Sequence, residues 1–412
     1  MSSGVVKKIL TFASGNILLQ IIPLALYPVL TRMYSVDAFG ILAIFSSLGA
    51  ISAYFVSLQY TPSIVVCSDK QVRSITQLCL LLSFIVSSLL LSVVVLFTDD
   101  FVSYNNIVTE SPQIFYLVPL FVLCSSIIEI YAFQKNRVGK YRDIVKVNFL
   151  KIILTYAWLF LCVDLFVENL IVGLVVGASV IGGYCIWRLI SLNKNWSFSR
   201  MRDVAKTYRE FPLVRIPHAI FDIVNNHGIT FAILYFYGMT QLGLFSLVVK
   251  LMKMPINTVS SAISKVIFAE ASQHDLSFSL ANLKVVHIVV LLMYTLCFVI
   301  VFLHGGAIFS FVLGSEWEAS GKYAEILSPY FLFYSFSSML SFVPTAKQKQ
   351  KAFLYLTIVG NMVQISTIVI GGYYLSFDNM LKYYSACGSI VFLVYIGFCM
   401  HLLRPSIKKI RQ

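Results

Sequence analysis

The chain has 412 residues, of which 58% are hydrophobic and 12% are charged, and its mean hydropathy is +0.84. Because a soluble domain carries roughly 25% charged residues, this composition excludes a water-soluble globular protein and predicts an all-α, polytopic integral membrane protein. The net charge of +13 does not indicate nucleic-acid binding, because the basic residues recur in short clusters between apolar stretches and form no single patch.

About twelve apolar stretches are long enough to cross a bilayer, which takes about 20 residues each. The first follows Lys7 and Lys8 and is longer than the core of a signal peptide, so we predict that it is a membrane span. The predicted spans lie near residues 9–31, 38–60, 77–97, 112–133, 145–163, 167–190, 213–236, 241–266, 283–303, 323–343, 352–374 and 380–402. An even number of spans places both termini on the same side of the membrane.

The basic residues indicate which side that is. Most of the 31 lysines and arginines are assigned to loops on the side of the termini, including Lys146 and Lys151 after the fourth span. The opposite side is assigned Arg32, Lys322 and Lys382. By the positive-inside rule, this asymmetry predicts that both termini are cytoplasmic.

The longest loop on the terminal side, near residues 191–212, is basic and lies in the middle of the chain. It predicts a linker between two six-helix bundles, residues 1–200 and 201–412. The halves also share a turn, because residues 30–41 follow the first span and residues 235–245 follow the seventh. Each turn has an aromatic residue or leucine before a glycine, at Phe39-Gly40 and Leu242-Gly243. Repeats of this kind in transporters place the substrate site at the repeat interface.

Polar side chains inside a span are costly, and they therefore mark candidate functional sites. The seventh span carries several at offsets that share one helical face; they are Arg215, His218, Asp222, Asn225 and Asn226. The eighth span carries Lys250, Lys253 and Asn257 at a similar spacing. These two faces are the predicted substrate-binding residues of the second half.

Two interpretations of these faces remain open. In the structural one, Asp222 and Lys250 form a buried ion pair that locks two helices together. In the functional one, the faces line a cationic, water-filled cavity for a phosphate-bearing substrate. The two lysines Lys250 and Lys253 outnumber the single acid, and this excess of positive charge favours the functional interpretation.

Other polar residues have milder interpretations. Arg32, at the outer end of the first span, either snorkels to lipid headgroups or meets a diphosphate at the outward mouth. Glu129 is expected to pair with Lys135 or Arg137, and Asn361 and Gln364 are expected to hydrogen-bond between helices. The eight cysteines fall mostly within spans, which favours small hydrophobic side chains over disulfides or metal ligands. No catalytic motif, metal site or cofactor site is present, so an enzyme is not predicted.

Several segments together resemble the O-antigen, or Wzx-type, flippases. These are the Thr31-Arg32-Met33-Tyr34-Ser35-x-x-x-Phe39-Gly40 turn after a proline-containing first span, the twelve spans in two halves, and the basic segment 133–142 after the fourth span. Those flippases belong to the multidrug/oligosaccharidyl-lipid/polysaccharide exporter superfamily, together with multidrug and toxin extruders and the murein precursor flippase.

The resemblance implies a MATE-like pair of six-helix bundles that work by alternating access in a bacterial inner membrane. It implies a substrate of undecaprenyl diphosphate bearing a short oligosaccharide, for O-antigen or another surface polysaccharide. The sugar and diphosphate would cross through the cationic cavity while the polyprenyl tail stays in membrane lipid. A polysaccharide polymerase and a chain-length regulator are the expected pathway partners.

Two alternatives compete with this function. A cation-coupled multidrug antiporter of the same superfamily is poorly served by a positive intramembrane balance and a first span without an acid. A membrane polysaccharide polymerase is expected to carry a large outward loop with basic residues, whereas the outward loops here are short and nearly free of lysine and arginine.

Overall fold

In a computed structural model, the chain is described over residues 3–104, 112–162, 169–192, 196–271, 284–347 and 349–403. Throughout these ranges the regular elements are helices, so the all-α prediction is confirmed. In chain order they are α1 (Ser3–Met33), α2 (Val36–Val56), α3 (Ser63–Val66), α4 (Val72–Tyr104), α5 (Leu117–Arg137), α6 (Tyr141–Leu161), α7 (Asn169–Leu192), α8 (Phe198–Thr207), α9 (Glu210–Ala271), α10 (Lys284–Leu313), α11 (Glu318–Met339), α12 (Val343–Ala346), α13 (Gln350–Tyr374) and α14 (Phe377–Leu403).

Nine helical stretches of the described chain are long and apolar enough to cross a membrane. One of them, Asn226–Ser261, spans parts of two predicted spans, because α9 is a pair of helices joined at Gly238. Two further predicted spans correspond to α1, in which the stretch Leu18–Met33 is apolar, and to α11, whose first two turns carry Glu318, Lys322 and Glu325. The protein is therefore a polytopic membrane protein, as predicted.

Gly238 separates the two helices of α9 by its backbone conformation. Its φ of 86° and ψ of −178° fall in a region that is essentially restricted to glycine. A Cβ at this position would meet nothing within 4 Å, so the requirement for glycine comes from the backbone and not from crowding. The break lies where the sequence places the short turn between the seventh and eighth spans.

The described chain divides into two compact units, Met1–Gly243 and Leu244–Gln412. That a boundary between two six-helix bundles lies near residue 200 stays a prediction.

Within the first unit, α7 packs against α5 and α6 through glycines. A Cβ on Gly177 would lie 2.9 Å from the carbonyl oxygen of Lys151 on α6, and one on Gly182 would lie 2.9 Å from the Cβ of Cys124 on α5. Small residues allow such close approach, which stabilises helix pairs in lipid.

The two echoed turns contact each other reciprocally within the first unit. A Cβ on Gly40 would lie 2.7 Å from the carbonyl oxygen of Met239, and a Cβ on Gly243 would clash with the carbonyl oxygen of Val36. Between these contacts, the Thr240 hydroxyl donates to Asp37 at 2.7 Å, across 203 residues of sequence. The same separation relates Val36 to Met239 and Gly40 to Gly243, so each turn gives the other an equivalent contact.

The predicted linker near residues 191–212 contains the short amphipathic helix α8. Met201 and Val204 are buried in a core cluster that also contains residues of α4, α5 and α7. The opposite face carries exposed basic residues at Arg200, Arg202 and Lys206. An amphipathic helix of this kind is typical of a membrane surface.

Candidate substrate-binding site

The second helix of α9 places Lys250, Lys253 and Asn257 along one face in the second unit. Lys250 is exposed and Lys253 is half-buried, while Asn257 is exposed one turn further on. The predicted spacing of these three residues is therefore realised on a single continuous helix. Among them, Lys253 has the most elaborate surroundings.

The ammonium group of Lys253 lies over an aromatic ring. Its Nζ is 5.5 Å from the ring centroid of Tyr334 on α11, and it also interacts electrostatically with Tyr330, one turn earlier on the same helix. The two tyrosine rings are almost parallel, with an interplanar angle of 6° and centroids 6.4 Å apart. A cation over an aromatic face is stabilised without losing its charge.

Asn257 fixes the second tyrosine. The Tyr334 hydroxyl donates a hydrogen bond of 2.6 Å to Oδ1 of Asn257. The cation, the ring beneath it and the amide that orients the ring thus come from two helices of one unit. We call Lys253, Asn257, Tyr330 and Tyr334 the lysine–tyrosine cluster.

A buried layer supports this cluster from behind. The Tyr384 hydroxyl of α14 lies 3.1 Å from Oε1 of Gln364 on α13 and 3.5 Å from the Tyr330 hydroxyl. Gly388 allows Tyr330 to approach α14, because a Cβ there would lie 2.5 Å from Cδ2 of Tyr330. The expectation of a hydrogen bond between helices is confirmed for Gln364, whereas for Asn361 it stays a prediction.

The first unit also carries a cation at mid-helix. Lys151 stands ten residues from each end of α6, or about 15 Å along the axis, so its assignment to a loop was wrong. It is half-buried, and no carboxylate in the described part of the chain pairs with it. An intramembrane lysine is a candidate functional residue.

The expected pairing of Glu129 is also wrong. Lys135 pairs with Asp143 at 3.6 Å, and Arg137 pairs with Asp69. Glu129 is exposed eight residues before the end of α5 and interacts electrostatically with Arg215 on the first helix of α9. Arg215 is thereby placed opposite an acid.

The remaining predicted site residues are less informative. Arg32 is exposed in the last turn of α1, and Asn226 is exposed on α9. The side chains of His218, Asp222 and Asn225 lie outside the described part of the structure, so the Asp222–Lys250 ion pair stays a prediction. No candidate metal cluster of histidine, cysteine and acidic residues occurs within the described ranges.

Tyr330, Tyr334 and Lys151 were missed by the sequence analysis. The two tyrosines are four residues apart in the predicted tenth span, a spacing that places them on one face, but an aromatic pair in a span is more often part of the packing. Lys151 was detectable, because it falls inside the predicted fifth span at 145–163.

Known proteins share both the sequence family and the fold. The model of a family described as "Polysaccharide biosynthesis protein" matches residues 29–322. No curated protein sequence matches the chain significantly.

Similar solved structures include the lipid II flippase MurJ in an inward closed conformation, with a TM-score of 0.75, 12% identity and coverage of 95% of this chain and 87% of that one. An inward-facing multidrug resistance MATE transporter of the MOP superfamily has a TM-score of 0.61 and 13% identity, over 96% of this chain and 95% of that one. A MOP superfamily transporter from Pyrococcus furiosus has a TM-score of 0.55 and 12% identity, over 96% and 95%. These likenesses show a fold shared with transporters and flippases.

Proposed function

Because this chain belongs to the polysaccharide biosynthesis protein family and has a flippase and transporter fold, we propose that it flips undecaprenyl-diphosphate-linked oligosaccharide repeat units across the bacterial inner membrane. The repeat units would serve O-antigen or another surface polysaccharide. Movement would proceed by alternating access, with both termini cytoplasmic on the strength of the positive-inside asymmetry. A polymerase and a chain-length regulator would act on the product.

The lysine–tyrosine cluster is the observation that carries this proposal. The described partners of Lys253 are neutral tyrosines, so its charge is not cancelled as it would be in a structural ion pair. An uncompensated cation in a span attracts an anionic ligand, and a diphosphate offers several acceptor oxygens.

The positive charges within the spans of both units favour an anionic substrate. Lys151 in the first unit and Lys250 and Lys253 in the second lie within predicted spans. A cationic drug would meet repulsion at each of these positions, whereas a diphosphate would be attracted. This balance favours the lipid-linked oligosaccharide over the substrate of a multidrug antiporter.

The test is to delete the gene in its native host and to complement it with variants. We expect the deletion to abolish surface polysaccharide and to accumulate complete repeat units on the inner leaflet. Lys250→Met combined with Lys253→Met should fail to rescue, and Lys253→Arg should rescue in part because it keeps the charge. Lys382→Met removes an exposed lysine of the same unit and is the matched control.

Each alternative has its own outcome. Normal polysaccharide with raised drug sensitivity would indicate the antiporter. Repeat units that reach the outer leaflet but stay unjoined would indicate the polymerase. Full rescue by the double lysine variant, at wild-type protein levels, would remove the cluster from the proposed path.

A further inference from the structure

A basic cavity of about 530 Å³ lies in the first unit, whereas the lysine–tyrosine cluster belongs to the second. It opens at the end of the unit where α4 begins and where α5 and α7 end. Its charged lining consists of five cations and one acid: Arg73, Lys135, Arg137, Lys140, Arg188 and Asp69. Such an excess of positive charge in a concave site attracts anions.

Two of these cations are committed to the fold. Arg137 donates from Nη1 to the carbonyl oxygens of Ile64 at 2.9 Å and Val65 at 3.1 Å, and it pairs through Nη2 with Asp69. Lys135 pairs with Asp143 and lies 4.9 Å from the ring centroid of Tyr131. Their contacts hold α3 and α6 to α5 and also satisfy the acid of the cavity.

The other three cations have no acidic partner among the residues that the structure describes. Arg73 and Lys140 are exposed at the rim. Arg188 is half-buried, and its Nε is buried without a hydrogen-bond partner. Because this Nε is buried, a phosphate in the cavity would reach the guanidinium through its terminal Nη groups, which can donate to two phosphate oxygens in parallel.

Nearby groups do not cancel this charge. The Cys67 thiol accepts a contact of 3.6 Å from Nη1 of Arg137, and burial raises its pKa, although Arg137 opposes the shift. Because a thiol with a raised pKa stays neutral at physiological pH, it adds no negative charge beside the cavity.

Aromatic residues place this cavity at the level of lipid headgroups. Tyr184 and Trp187 are exposed on α7, with ring centroids 6.4 Å apart, and the guanidinium of Arg188 lies 5.8 Å from the Trp187 centroid. Exposed tryptophan and tyrosine at the end of a span mark the membrane interface. The amphipathic helix α8 lies at the same end of the unit. Tyr208, the residue directly after α8, donates its hydroxyl to Gln71, the residue directly before α4, at 2.9 Å.

We propose that this cavity binds the phosphate headgroup of an anionic phospholipid from the surrounding leaflet. Arg188 would bind the phosphate bidentately, and Arg73 and Lys140 would add charge at the rim. The acyl chains would lie along the exposed apolar face of α7 that includes Val180 and Ile190. The site is separate from the transported substrate, and its lipid is a bound component of the protein.

Native mass spectrometry of the full-length protein, released from detergent, tests this site. Phosphatidylglycerol is titrated against phosphatidylcholine with the same acyl chains and against inorganic phosphate. We expect wild type to retain phosphatidylglycerol, and each removed cation to weaken retention roughly fivefold. The triple variant Arg73→Gln, Lys140→Gln and Arg188→Gln should therefore retain phosphatidylglycerol about a hundredfold more weakly than wild type.

The matched control removes the same charge outside the cavity, with Lys70→Gln, Lys146→Gln and Arg202→Gln, all at exposed positions. Arg188→Lys keeps the charge but removes the fork, and it should give an intermediate loss. Melting temperature of each variant reports whether it is folded.

Equal retention of phosphatidylglycerol by the cavity and control triples would overturn the proposal. Displacement of the lipid by millimolar inorganic phosphate, or equal binding of phosphatidylcholine, would also overturn it, because the site would then bind phosphate without preferring an anionic lipid. None of these readouts depends on transport.

Discussion

At the scale of single residues, the partner of a buried cation decides its role. Lys253 lies over the ring of Tyr334, and no carboxylate among the described residues pairs with it. A buried ion pair neutralises itself, whereas a cation on an aromatic face keeps its charge for a ligand. The hydrogen bond from Tyr334 to Asn257 holds the ring in place for this contact.

Tyr334 separates the contribution of the ring from that of the hydroxyl. Tyr334→Phe keeps the ring under Lys253 but loses the bond to Asn257, which is worth about 0.5–1.5 kcal/mol. We expect a roughly twofold to tenfold slower appearance of repeat units on the outer leaflet. Tyr334→Leu also removes the cation–π contact and should slow it further.

Tyr383→Phe, at an exposed position of α14, is the control and should behave as wild type. If Tyr334→Leu transported faster than Tyr334→Phe, the ring would not be supporting the cation.

At the scale of helices, the sequence predicted which side chains share a helical face better than it predicted where a helix begins or ends. The spacing of Lys250, Lys253 and Asn257 predicted one face correctly, because 3.6 residues per turn fixes which side chains align. Lys151 was misplaced because the positive-inside argument assigned it to a loop, while the helix begins ten residues earlier at Tyr141. The tyrosines of α11 could not be predicted as partners of Lys253, since they lie far along the chain and only tertiary packing brings them together.

Two adjacent glycines of α7 test the packing of helices directly. Gly182 faces Cys124 of α5, where a Cβ would lie 2.9 Å from that Cβ, whereas Gly183 meets nothing within 4 Å. We expect Gly182→Leu to destabilise the protein by about 1–3 kcal/mol through overpacking. Gly183→Leu should leave stability nearly unchanged.

The apparent melting temperature of both variants in one detergent provides the measurement. Equal melting temperatures would show that α5 and α7 do not depend on this close approach.

At the scale of the whole molecule, the chain combines two compact units with a repeated turn. The echo between residues 30–41 and 235–245 was weak in sequence, yet the structure brings the two segments into reciprocal contact through Gly40 and Gly243. Sequence alone indicated similarity of the turns. It could not indicate that they touch, because mutual contact depends on the packing of helices between them.

Reciprocal contact predicts reciprocal sensitivity. Gly40→Leu and Gly243→Leu should lower the apparent melting temperature by similar amounts, because each inserts a side chain against the opposite backbone. The double variant should cost less than the sum of the two, since either substitution alone already separates the turns. Gly397→Leu, where a Cβ meets nothing within 4 Å, is the control.

If the losses of melting temperature of the two single variants simply added in the double variant, or if only one single variant lost stability, the turns would not be coupled.

The constant separation of 203 residues in this contact also bears on ancestry. A surface that binds an equivalent copy of itself is what a two-fold symmetric dimer presents. We expect that the gene arose when a half-length ancestor was duplicated and fused, and that this ancestor already paired with itself at the position that Asp37 and Thr240 now occupy. In the fused chain the mutual recognition of two former subunits would survive as an intramolecular contact.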